Sequence, residues 1–416
     1  MGRIWVIGAG LAGLVAAERL SGTGHTVEML EASPKAGGRC RSYRDTRLDR
    51  VIDNGNHLIL SGNRAVLDWA ARIGGADALS TGEAAFPFLD LATGARWTIR
   101  PGPGPLGALR RAARPPGVSA LALGRDTARL LAARRTTSVA EVVARGPAWD
   151  AFWDPMTRAV LNEPPETGSA PLLRAALLRS FARGAGAVRP VFAPDGLGPA
   201  LVDPALPLLE ARGVRIRYRT AAAALRGTDR LDAIETADGP VALGPGDAAI
   251  LAVPARQAAT LLPQIDVPGP GRTIVNAHFL APESGLPPVL ALLGGAAQWL
   301  FRRGDVVSVT VSAAEASEVD GLSREAALGQ LWRDVAAAIA AHGGTVPAAM
   351  PVARLLREKA ATFDQSPAGA VRRPAARTPW PNLLLAGDHV GTGLPATLEG
   401  AVRSGLAAAR LAAQAA

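Results

Sequence analysis

The chain has 416 residues, 48% of them hydrophobic, and a formal charge of +9, which gives a sizeable core but makes it too long for one compact unit. Its basic residues are almost all Arg, scattered among Ala, Gly and Pro with no concentrated tract, which argues against nucleic acid and leaves an anionic membrane surface as the better partner for the charge. The single cysteine excludes an intramolecular disulfide framework and fits a reducing cytoplasm, and no run of about 18 uncharged apolar residues occurs, so the protein reads as soluble or peripheral.

Residues 4–7 are a continuously apolar run, the pattern of a central parallel strand covered on both faces. The run enters Gly8-Ala9-Gly10-Leu11-Ala12-Gly13, a Gly-x-Gly-x-x-Gly turn. A helix is predicted next, with Leu14, Ala17 and Leu20 inward, Glu18 and Arg19 outward, and Gly22 and Gly24 ending it. Residues 26–30 are the second strand, closing on Glu31. Gly8 permits the tight turn, Gly10 lets the backbone approach a diphosphate, and Gly13 allows close helix–strand packing. The phosphates then meet free N–H groups at the positive helix end. Glu31, 18 residues after Gly13, is spaced to accept ribose hydroxyls. This is a dinucleotide-binding βαβ unit.

Gly37-Gly38-Arg39 follows, a turn that brings a guanidinium toward the diphosphate. Cys40 reads as a small semi-buried residue or as a redox or cofactor-tethering thiol. Residues 101–105 are a linker or turn, and Arg- and Ala-rich helical patterns run from there to 183. Within them, residues 121–135 set Leu121, Leu123, Leu130 and Leu131 among Arg125, Arg129, Arg134 and Arg135, either a membrane-resting amphipathic helix or one with a solvated face. A helix is expected at 198–212, a strand at 214–218, and strands with turns at 238–239 and 244–246 up to 254. Residues 273–313 alternate as antiparallel strands, and 323–342 are a helix. Near the end, residues 383–388 are a buried strand ending in Gly387-Asp388, and residues 393–401 open a terminal helix whose positive end suits the anionic edge of a reduced flavin. FAD is therefore the expected dinucleotide.

The early glycines, the Gly-Gly-Arg turn and the late Gly-Asp resemble the FAD-dependent amine oxidase and phytoene desaturase superfamily. The resemblance implies an α/β fold with a discontinuous Rossmann-like FAD-binding domain (1–80, 190–256 and 376–416) and an inserted α+β substrate domain (81–189 and 257–375). It also implies that Gly37, Gly38, Arg39, Gly387 and Asp388 lie along the diphosphate and ribityl chain, and that Thr397, Leu398 and Ala401 lie at the isoalloxazine. Asp388 also reads as a simple strand-end turn residue. Asp53-Asn54-Gly55-Asn56-His57, the block at 161–166, Gln298-Trp299-Leu300-Phe301, the block at 357–363 and the whole ending to Gly405 are similar to the hydroxysqualene dehydroxylase family, with departures at Asn56, Glu163 and His389.

That resemblance implies reductive removal of the hydroxyl of a C30 allylic alcohol, giving squalene in hopanoid formation. The implied partners are a long isoprenoid in an apolar channel and an electron donor that the sequence does not identify; no metal is called for. Such chemistry needs a proton donor. His57 is the first candidate, or else a loop histidine; Asp53 is an acid or a residue orienting backbone turns. Asp154, among Phe152 and Trp153, is a proton donor or caps a helix; Asn162 orients a hydroxyl or caps a turn. Trp299 and Phe301, with Pro395, line the channel or simply pack in a sheet. Another chemistry on the same fold, carotenoid desaturation or amine oxidation, and a non-catalytic prenyl carrier are the competing readings.

Overall fold

The computed structural model describes residues 2–104, 107 and 110–416. Pro105, the end of the turn expected at 101–105, lies outside the described residues.

The N-terminal run does form a central strand. β1 (Arg3–Ile7) pairs in parallel with β2 (Thr26–Glu31) on one side and with Ala248–Leu251 on the other. Arg215–Tyr218 and Leu383–Leu385 complete a five-stranded, all-parallel sheet. Ile4 and Val6 point into one core cluster, Trp5 and Ile7 into another, so both faces are covered as the apolar run requires. α1 (Leu11–Ser21) lies on the first face beside the terminal helix Leu398–Ala415. A side chain at Gly405 would strike the Ala12 carbonyl, so the two helices meet as closely as backbones allow.

Glu18 departs from expectation. It is buried, not outward, and accepts Arg72 Nη2 at 2.7 Å and Arg212 Nη1 at 2.9 Å. Two guanidiniums from distant segments meet the charge that the α1 pattern alone would send to water. The helix expected at 198–212 is two helices, Leu197–Leu201 and Ala205–Ala211, because Pro204 cannot continue the first and starts the second.

A second, seven-stranded sheet has the order Ala353–Glu358, Ile274–Leu280, Val306–Val311, Trp299–Arg303, Val289–Leu293, Phe86–Asp90, Arg96–Ile99. All neighbours are antiparallel except Val289–Leu293 with Phe86–Asp90. Val275, Ala277, Phe279, Val307, Val309 and Leu300 pack one face against the long helix Arg324–Ala341. The alternation of strands sends Asn276, His278, Ser308, Thr310, Trp299 and Phe301 to the opposite face. Residues 86–99, unassigned from the sequence, supply its last two strands.

The helical segment holds Ala120–Leu131, Asp154–Leu161 and Ala170–Arg179 around a separate apolar cluster. In the first of these helices Leu123 and Leu130 are buried, while Leu121 (84% exposed) and Leu131 (47%) stand outside with Arg125 and Arg129. Among the described residues no helix is long and apolar enough to cross a membrane.

Candidate active site

The crevice begins where β1 ends. Gly10 stands at the start of α1 without a side-chain cap, and a methyl built on it would meet nothing within 4 Å. Gly8 adopts φ +107°, which glycine tolerates, and a side chain at Gly13 would collide with the Gly8 carbonyl. Gly37 N–H donates to Ala9 O at 2.8 Å, and Gly37 bridges Gly10, so the second glycine turn lies against the first. Glu31, buried at the end of β2, accepts Ala9 N–H through Oε2 and Ser33 N–H through Oε1, both at 2.7 Å. Each carboxylate oxygen keeps a further acceptor site for a hydroxyl.

Arg39 crosses to the other end of the chain. Its Nη2 donates to Asp388 Oδ1 at 2.7 Å and its Nη1 to Ala361 O at 2.9 Å. Burial opposes charge on Asp388, but the Arg39 guanidinium beside it holds the carboxyl below its ordinary pKa. Arg39 keeps 40% of its side-chain surface open, against 9% for Asp388, so the pair presents its positive partner to the crevice. Gly387 N–H donates to Ser404 Oγ at 2.8 Å, and its φ of +144° fixes the turn that brings buried Asp388 against Arg39. Thr397 caps the terminal helix, accepting Gly400 N–H at 3.1 Å, while its hydroxyl donates to Pro395 O at 3.2 Å. Leu398 and Ala401 lie half-buried in the first turn of that helix.

Arg373 went unmarked in the sequence, yet it organises this loop. It donates to the carbonyls of Asp388 (2.8 Å), Leu394 (2.6 Å) and Val390 (2.5 Å) and stacks on Phe363, 4.7 Å from the ring centre. Burial lowers its pKa to about 10. His389 is buried with both ring nitrogens lacking a partner among the described residues, and burial pushes it down to about 4, so it is neutral at pH 7. Cys40 is buried, and desolvation pushes its thiol up to about 12; it is a protonated packing residue rather than a reactive thiolate.

His57 keeps open ring surface although neighbouring protein atoms crowd around it. Its Nδ1–H donates to Gly55 O at 2.9 Å, which leaves Nε2 without a protein partner among the described residues. Burial lowers its pKa below 6.5, with the Gly55 carbonyl and Asp53 working partly against that shift.

The other candidate acids and polar groups are occupied elsewhere. Asp53 accepts Ser42 Oγ at 2.5 Å and Leu197 N–H at 3.0 Å through Oδ1, and Arg303 at 2.7 Å through Oδ2. Both oxygens fasten neighbouring segments together, which does not suit a proton donor. Asp154 pairs with Arg158 through both oxygens (2.9 and 3.0 Å), a helix i,i+4 ion pair in the helical segment. Asn162 ends its helix at φ +52°, accepts Ala313 N–H at 2.6 Å and donates to Arg272 O at 2.7 Å, so its amide ties the helix end to two other backbone segments. Trp299 and Phe301 share the sheet face that carries Asn276, and Trp299 meets Phe88 edge-on at 6.2 Å.

A family profile for flavin containing amine oxidoreductases matches residues 11–413. The chain is 41% identical to hydroxysqualene dehydroxylase of Rhodopseudomonas palustris, over 98% of its own length and 97% of that protein's. It is 39% identical to hydroxysqualene dehydroxylase of Sinorhizobium fredii, over 98% of each chain. The chain belongs to the hydroxysqualene dehydroxylase family. A solved structure of putrescine oxidase with bound putrescine shares the fold, with a TM-score of 0.68 at 16% identity and 98% of each chain covered. The enzyme is thus an FAD-dependent oxidoreductase with the α/β fold of flavin amine oxidases. The crevice fits that cofactor: an uncapped helix start over an open glycine, a carboxylate with spare acceptor sites, and a guanidinium held charged.

Proposed function

We propose that this enzyme removes the hydroxyl of hydroxysqualene, a C30 allylic alcohol, and releases squalene and water. The observation that carries the reading is the full-length likeness to two proteins of that name. The C–O bond breaks as the departing oxygen takes a proton, and a hydride makes the new C–H bond. Reduced FAD supplies that hydride when bound. The chain must hold the cofactor, place the alcohol, donate the proton and keep bulk water out.

In this reading Gly8, Gly10, Gly13, Gly37 and Gly38 let the backbone close on the diphosphate, and Glu31 takes the ribose. Arg39, Gly387 and Asp388 meet the polar chain of the cofactor, with the helix start at Thr397, Leu398 and Ala401 near the ring. His57 is the proton donor through Nε2, and Trp299, Phe301 and Pro395 line the apolar path. Residues 1–80, 190–256 and 376–416 form the FAD-binding domain, a division supported by the parallel sheet drawing all its strands from them. Residues 81–189 and 257–375 form the substrate domain, which contains all the strands of the seven-stranded sheet.

Anaerobic incubation of dithionite-reduced protein with hydroxysqualene, followed by mass analysis, is expected to give squalene in proportion to bound FAD. Fully flavinated enzyme that gives none would overturn the reading.

A substrate dissolved in a bilayer needs a way in, and exposed Leu121 and Leu131 beside Arg125 and Arg129 suit an anionic lipid surface. Substituting Leu121→Asp is expected to weaken cosedimentation with anionic vesicles about tenfold and to leave the melting temperature unchanged, because the side chain makes no core contact. Equal cosedimentation of wild type and variant would place the lipid contact elsewhere.

A further inference from the structure

Asn276 lies on the seven-stranded sheet, on the face away from the long helix, and is buried. Its Oδ1 accepts two hydrogen bonds, from Thr310 Oγ1 at 2.9 Å and from Asn56 Nδ2 at 3.3 Å. Thr310 Oγ1 in turn accepts Asn56 Nδ2 at 3.0 Å. This three-residue network fixes which way the amide points, since its oxygen is committed. Among the described residues its Nδ2, with two N–H donors, has no acceptor.

Gly55 shows where that amide group looks. A methyl built on Gly55 would lie 3.7 Å from His57 Cε1 and 3.8 Å from Asn276 Nδ2, with nothing else within 4 Å apart from the residues on either side of Gly55. The His57 ring and the Asn276 amide therefore border one gap, floored by a residue with no side chain. From this gap a single row of register partners crosses the sheet: Asn276, Thr310, Trp299, Ala291, Phe88 and Trp97. The row begins polar and continues mainly aromatic, with Phe88 stacked on Trp97 at 5.4 Å. At about 4.8 Å per strand step it extends roughly 24 Å.

We infer that Asn276 is a substrate-binding residue: its Nδ2 donates a hydrogen bond to the departing hydroxyl of an allylic alcohol, beside the His57 ring. One hydrocarbon arm lies along the Trp299, Phe88 and Trp97 row. The inference rests on the dehydroxylase reading above. Two donors on one oxygen favour its departure as water, and the π face of Trp299, adjacent in the row, favours the positive charge left on the allyl group. The hydrocarbon product has no group for Asn276, so the same contact sets a preference for alcohol over product.

The test is titration of oxidised, flavin-loaded enzyme with hydroxysqualene and separately with squalene, read as perturbation of flavin absorbance, alongside anaerobic turnover. Wild type is expected to bind the alcohol about threefold to tenfold more tightly than the hydrocarbon. Asn276→Leu is expected to erase that preference, leave squalene affinity unchanged and lower kcat/KM. Gly55→Ala keeps every hydrogen bond of the network and only fills the gap, so it is expected to weaken alcohol binding selectively; it carries the test should N276L lose its flavin. Undiminished alcohol preference in both variants, or no preference in wild type, would overturn the inference. A wild type that prefers the alcohol but yields no squalene would remove the dehydroxylase reading and leave the Asn276 contact standing.

Discussion

His57→Ala is expected to lower squalene formation about 10²–10⁴-fold, the range typical of losing a positioned general acid, while the purified variant stays fully flavinated. The Nδ1–H bond to Gly55 O settles the tautomer, so only Nε2 is free to face a substrate oxygen. The pH profile supplies an independent check. The donor must be the imidazolium, and burial lowers its pKa below 6.5, so the active form grows as pH falls. In wild type kcat/KM should therefore rise as pH drops through neutrality and level off below the lowered pKa. In H57A the residual rate should be flat across the same range. A variant within tenfold of wild type, with an unchanged pH profile, would assign the proton to another group.

The second large effect concerns the cofactor. Gly13→Val is expected to yield protein without the yellow flavin absorbance and with a clearly lower melting temperature. Its Cβ would collide with the Gly8 carbonyl and press on Ala252, so α1 must withdraw from β1, and rigid backbone cannot yield as a side chain can. Gly10→Ala makes the informative contrast. Its methyl meets nothing within 4 Å, so the fold and melting temperature of apoprotein should be unchanged while FAD affinity falls. If G10A binds FAD as tightly as wild type, the open space over Gly10 does not belong to the diphosphate.

What could be read from the sequence follows the range of the interactions involved. The βαβ unit was legible because its parts lie within one short stretch and each glycine answers a local need. The alternation of residues 273–313 likewise signalled sheet strands, since a half-buried strand writes its pattern residue by residue. Glu18 was misread because its partners, Arg72 and Arg212, come 54 and 194 residues later. The helix expected at 198–212 is broken at Pro204, which removes a helix hydrogen bond whatever the periodicity around it. For Asp53 and Asn162 the sequence left a catalytic and a turn-holding role both open, because the atoms that occupy them, Arg303 and Ala313 N–H, sit 250 and 151 residues away. Asn276 gave no signal of its own. An asparagine inside an apolar strand reads as a flaw until Thr310 and Asn56 are seen to hold it.

The joining of residue 39 to residue 388, and of α1 to the terminal helix, has a consequence for synthesis. As the chain leaves the ribosome, the Ala248–Leu251 strand must wait for its neighbour Leu383–Leu385, leaving one edge of the parallel sheet unpaired and an apolar face of α1 bare. In the cofactor assignment proposed above, the site is complete only once the last helix has emerged, so cofactor loading is expected to follow synthesis of the whole chain. Chains clipped before the last helix should consequently purify without flavin absorbance and with an exposed apolar face on α1.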